Sequence, residues 1–196
     1  MKTLGPFFLR ARPWQLFALF MGLYMLGTIF GFAADSGASP RLGGASATLI
    51  VAEVLLVFWV LCLMVWIGSI GLFLNTLKEP SSRSKTTFFW FALIYPLLYI
   101  PVFFALFFSS STPVSAWLIV PAHLFAAFCI LYAMYFASKR LAIAEASRPV
   151  TFYDCAGPLF LIWFFPLGVW FVQPRINRLY AKSRDPQGSI PPADSQ

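Results

Sequence analysis

The chain has 196 residues, 60% of them hydrophobic and only 11% charged, with a net charge of +7 and a mean hydropathy of +0.78. Soluble domains carry about a quarter charged residues, so this composition excludes a soluble globular protein and points to an all-α integral membrane protein. The basic residues stay close to the ends of apolar runs and form no alternating basic and aromatic face, which excludes nucleic acid as a partner.

The first apolar run, residues 14–34, follows Lys2, Arg10 and Arg12. At about twenty residues it is too long for a signal-peptide core and long enough to span. Gly27 and Gly31 form a GxxxG pair suited to close helix contact inside the bundle. Residues 35–47 are rich in Gly and Ser and predict a flexible connector. The second span, 48–77, exceeds what a bilayer core requires, and Gly68 and Gly71 mark the expected bend.

A loop holding Lys78, Arg83 and Lys85 leads to a third span, 88–108, which carries Pro96 and Pro101. Residues 109–115 suit a tight turn. The fourth span, 117–137, is expected to continue as a helix through Lys139 and Arg140 and to stop before Pro149.

Three prolines, Pro158, Pro166 and Pro174, then bound an apolar stretch too short to cross a core of about 30 Å at ~1.5 Å per residue. Pro166-Leu167-Gly168 offers a turn at its centre, so the stretch reads as a re-entrant or interfacial hairpin. Trp163 and Trp170 flank that centre, and the headgroup preference of indoles predicts a shallow dip. After Pro174, Ile176, Leu179 and Tyr180 share one helix face while Arg175, Arg178 and Lys182 share another. With Arg184, these predict a basic amphipathic surface helix that begins at Pro174 and meets anionic lipid headgroups.

If the hairpin returns, only Arg41 of the 14 Lys and Arg lies on the far side; if it crosses, Arg175, Arg178, Lys182 and Arg184 join it there. The positive-inside bias favours four spans with both termini cytoplasmic. The organisation is therefore a bundle over residues 1–140, a hairpin with a basic helix over 141–184, and a disordered tail over 185–196.

The stretch Leu161 to Asn177, LIWFFPLGVWFVQPRIN, resembles the C-terminal signature of small uncharacterised bacterial multi-span membrane proteins. The resemblance implies a bacterial inner-membrane origin and carries over no activity and no catalytic residue.

Two ionisable side chains fall within the spans, Glu53 and His123, and such groups are functional candidates because burying them in lipid is costly. Both belong to the outer half, where they could pair and carry or sense a proton. The structural alternatives are headgroup water for Glu53 and a proline-freed carbonyl for His123. Asp154 beside Cys155 reads as a cap rather than a nucleophile, since a neighbouring carboxylate raises a thiol's pKa. No catalytic residue, metal site or cofactor is expected. The function that follows is an accessory or scaffold subunit with membrane lipids and membrane proteins as partners. The alternatives are a transport or proton-linked protein using Glu53 and His123, and a lipid-modifying enzyme working at the hairpin.

Overall fold

A computed structural model describes residues 4–35, 41–42, 45–77, 85–108, 116–146, 148 and 150–184. It is an all-α membrane protein with four helices long and apolar enough to cross a bilayer: α2 (Pro13–Asp35), α3 (Ala47–Thr76), α4 (Thr87–Phe108) and α5 (Ala116–Ala146). A short α1 (Leu4–Arg10) precedes them, and α6 (Phe152–Trp163) and α7 (Phe165–Arg184) follow. Two short strands, β1 (Arg41–Leu42) and β2 (Ala45–Ser46), pair antiparallel between α2 and α3. Most of the loop at 78–87, the turn at 109–115 and the tail at 185–196 lie outside the described residues.

Helix α3 is the central element, touching α1, α2, α4 and α5. Its glycines do not serve as a bend. Both lie inside one continuous helix and admit neighbours: a Cβ on Gly68 would meet Leu93 at 3.0 Å, and one on Gly71 would meet Phe89 at 2.7 Å and Phe136 at 3.2 Å. Lipid supplies no hydrophobic drive between helices, so close approach of this kind is how such bundles gain dispersion energy. Helix α4 is held to α5 by rings at helical spacing. Phe88 meets Tyr132, Phe91 and Tyr95 meet Phe125, and Phe89 stacks on Phe136 at 4.3 Å.

The fully buried side chains gather at one end of the bundle. They come from the start of α2 (Leu16, Phe20), the second half of α3 (Trp66, Ile67, Ile70) and the start of α4 (Phe89). The later part of α5 (Ala133, Leu141) and the hairpin (Ile162, Val169, Val172, Ile176) complete the set. This is the end where Arg10, Arg12, Lys85, Lys139 and Arg148 also collect, and we call it the basic end.

The hairpin is α6, a turn at Phe164, and α7. The turn falls at Phe164 rather than at Pro166-Leu167-Gly168, because Pro166 suits the first turn of α7, where its missing N–H costs nothing. The N–H groups of Leu167 and Gly168 both donate to the Phe164 carbonyl, at 3.1 and 2.9 Å, which satisfies the turn in an apolar setting. Gly168 is helical, and its role is close approach: a Cβ there would lie 1.6 Å from the Leu161 carbonyl oxygen, so the two arms cross backbone to backbone.

The turn of the hairpin reaches far along α3. Phe165 packs on Trp59 at 5.6 Å, past the midpoint of α3 counted from its basic end. Trp163 and Trp170 remain exposed on the outer flanks of the two arms, Trp170 leaning on Phe17 at 5.8 Å. At ~1.5 Å per residue the 12 residues of α6 measure about 18 Å and the 20 of α7 about 30 Å, so α6 reaches little more than half of a 30 Å core.

The basic segment is not a separate helix starting at Pro174. Helix α7 runs unbroken through Pro174, and its contacts step along α3 in register: Phe165 on Trp59, Gln173 on Trp66, Tyr180 on Phe73. Seven-residue steps on α3 matched by seven or eight on α7 mean that the two helices run side by side in the same direction. The amphipathic pattern is present as expected, with Ile176 buried and Leu179 and Tyr180 resting on the core.

Candidate functional site

Two regions carry polar chemistry inside this apolar chain. The first is a knot of hydrogen bonds at the basic end that links the two ends of the sequence. Pro13 opens α2 and breaks the chain away from α1, since the residue before a proline avoids the α-region. The Arg12 N–H turns to the Gln15 side chain at 2.9 Å, and the Gln15 N–H donates to Arg12 rather than to Ala11. The Phe8 and Ala11 carbonyls thereby lose their helical donors.

Gln173, fully buried on α7, supplies them. Its Nε2 donates to Phe8 O at 2.7 Å and to Ala11 O at 3.2 Å, and also approaches Asn177 Oδ1 at 3.0 Å. Its Oε1 accepts the Trp66 indole N–H at 3.0 Å, which fixes the orientation of the amide because an indole can only donate. Asn177, one turn on, adds a bond from Nδ2 to Ala11 O at 3.2 Å. The residues of the Gln-Pro-Arg-Ile-Asn stretch are thus divided by role: Gln173 and Asn177 tie α1, α3 and α7 together, Ile176 fills the core, and Arg175 faces α5.

Arg175 forms a bidentate ion pair with Glu145 at the end of α5. It is committed within the chain, whereas Arg178, Lys182 and Arg184 are exposed along the last turns of α7. Arg10 and Arg184 both lie over the Tyr180 ring, at 5.5 and 6.0 Å.

Asp154 is a cap. Its carboxylate accepts the Thr151 backbone N–H at 2.8 Å and hydroxyl at 3.0 Å, and pairs with Arg148 at 3.2 Å. The bonds from Thr151, chiefly the backbone one, hold its pKa below the usual value, with Arg148 adding to the effect. Cys155, buried beside it, donates to the Thr151 carbonyl at 3.2 Å, and burial pushes its thiol up, away from the reactive thiolate. Cys62 and Cys129 are also buried and unbridged.

The second region is the opposite half of the bundle. Glu53 lies six residues into α3 and borders two apolar grooves. One, of about 230 Å³, runs between α2 and α3 past Gly27 and Leu56 to Trp59. The other, of about 410 Å³, runs between α3 and α4 past Val57 and Pro101 to Leu61. Glu53 and Phe104 line both. No hydrogen bond or ion pair involves Glu53 among the described residues.

His123, on the exposed side of α5, is not brought to Glu53. Its Nδ1 faces the Tyr99 hydroxyl at 3.4 Å, a long contact, and its ring packs on Tyr99 and Phe103. Gly27, of the GxxxG pair, contacts Ala52 and Leu55 of α3 at 3.8 Å, while Gly31 has nothing within 4 Å.

Sequence reasoning singled out charged intramembrane groups and so passed over Gln173. The available signal was an amide inside an apolar run with a second amide four residues on, which places both on one helix face. Set against protein-family models, curated proteins and solved structures, the chain matches none.

Proposed function

We propose that the chain is a non-enzymatic accessory or scaffold subunit of a larger membrane-protein complex. In this reading it lies in a bacterial inner membrane with both termini cytoplasmic and is anchored at the cytoplasmic leaflet. The observation that carries the reading is the uneven packing of the spans. The basic end is closed by the hairpin, but the most apolar window of α2 is only 11% buried and those of α4 and α5 only 22%. Outward faces such as Leu98 and Val102 on α4, and Trp117 and Leu124 on α5, are largely exposed. A scaffold needs such faces to receive neighbouring helices, and a tightly closed end to hold them in place.

Anchoring falls to Arg178, Lys182 and Arg184, whose exposure at the end of α7 suits anionic headgroups at about 1 kcal/mol each. The basic ends of the spans support the cytoplasmic assignment through the positive-inside bias.

The test is purification of the tagged full-length chain in mild detergent or nanodiscs at native expression, with mass spectrometry of what accompanies it. Recovery in fixed stoichiometry with other membrane proteins is the expected result. Recovery alone, or only with copies of itself, overturns the reading.

A further inference from the structure

We infer that the half of the bundle away from the basic end binds one two-chain lipid whose headgroup carries a primary ammonium, with Glu53 receiving the ammonium and the two grooves receiving the chains.

Three observations converge on this occupant. The first is the branching of the site. Two apolar grooves share Glu53 and Phe104 in their linings, so one polar point borders two apolar paths. Both paths lead from Glu53 toward the middle of α3, one ending at Trp59 and the other at Leu61. A molecule with one head and two chains has this shape.

The second observation is charge. Glu53 has no partner among the described residues, and a carboxyl group at the edge of an apolar groove is complementary to a hydrogen-bond donor that can carry positive charge. An ammonium head meets that requirement. A phosphate or glycerol head without an amine does not.

The third is an orphaned donor. The Trp59 indole N–H is buried and has no acceptor among the described residues, although its ring is fixed between Tyr24 and Phe165. Buried indole N–H groups are normally paired. Trp59 lies six residues along α3 from Glu53, or ~9 Å at ~1.5 Å per residue, and it lines the first groove. An ester carbonyl near the top of an acyl chain, inward of the ammonium, is an acceptor of the right kind. This site is distinct from the exposed Arg178, Lys182 and Arg184, which suit anionic heads at the other end of the chain.

The test uses the full-length chain in detergent, read by native mass spectrometry with added lipids of matched acyl chains: phosphatidylethanolamine, the same lipid with its amine acetylated, and phosphatidylglycerol. A charge-assisted hydrogen bond predicts that phosphatidylethanolamine is retained about tenfold better than the other two. Glu53→Gln, nearly isosteric, is expected to abolish that preference with the melting temperature unchanged. Gly27→Leu, which fills the first groove, is expected to weaken retention of the two-chain lipid more than that of its single-chain form.

Equal retention of the acetylated lipid by the unaltered chain overturns the inference, and this comparison requires no variant to fold. A preference that survives Glu53→Gln also overturns it. So does loss of a co-purifying protein from Glu53→Gln with lipid retention unchanged, a result that would assign Glu53 to a partner helix.

Discussion

Gly68, Gly71 and Gly168 at the basic end each bring a backbone within reach of a neighbour, at 3.0, 2.7 and 1.6 Å from the Cβ that each lacks. Gly22 and Gly31 on α2 have nothing within 4 Å. Polar groups divide in the same way. At the basic end Gln173 and Asn177 bond to groups on α1, on the break after it and on α3, while in the other half Glu53 and the Trp59 indole have no partner among the described residues. In lipid, where burying apolar surface brings little gain, close approach and hydrogen bonding hold helices together. Stability is therefore concentrated at the basic end, and the opposite half is held by fewer close contacts.

The sharpest way to break this contrast is at Gly168. Replacing it with Leu forces the α6 and α7 backbones apart and should cost about 3 kcal/mol or more, seen as loss of the folded chain or a large fall in melting temperature in detergent. The same replacement at Gly31 should change stability by less than about 0.5 kcal/mol. Comparable losses at both positions would mean that the two halves are equally packed.

Gln173→Leu comes next. It keeps the volume but strands the Trp66 N–H and the Phe8 carbonyl and leaves the Ala11 carbonyl to Asn177 alone, and the expected loss is about 2–3 kcal/mol in detergent-monitored unfolding. Asn177→Leu leaves Gln173 to serve Ala11 and should cost less. An effect of Asn177→Leu as large as that of Gln173→Leu would show that the two amides act as one unit.

The smallest expected effect is at the Asp154 cap. Its folded-state pKa is lowered from an ordinary value of 3.8, so the stabilisation is present above that value and is lost as the pH falls through the lowered one. The advantage of the native chain over Asp154→Asn should therefore be constant near neutral pH and vanish only in strong acid. An advantage that disappears at mildly acidic pH would point to a different titrating group.

The four spans and the existence of the hairpin were legible because they depend on run length and apolar composition, which are local properties. Asp154 was legible as a cap from its place beside Cys155, but its partner Thr151 was not singled out. The hairpin's depth was not, since it depends on which faces of α6 and α7 meet α2 and α3. Gly68, Gly71 and Gly168 read as points of flexibility, because sequence does not tell a glycine that bends from one that admits a neighbour. Gln173 was missed because its partners lie more than 160 residues away, on carbonyls freed by the break before Pro13. Arg175 read as a lipid contact because Glu145, though adjacent in space, is 30 residues distant.

The placement of α7 also sets an order of events. Chains are made from the N-terminus, and much of the seat for α7 is built from α1, α2 and α3, which precede it in synthesis. Until Phe165 and Gln173 have been translated, Trp66 lacks an acceptor, the Phe8 and Ala11 carbonyls lack their donor, and the cleft beside Phe20 is unfilled. The contacts that join α1, α2 and α3 to α7 therefore form only once α7 has been made, after the spans that receive it.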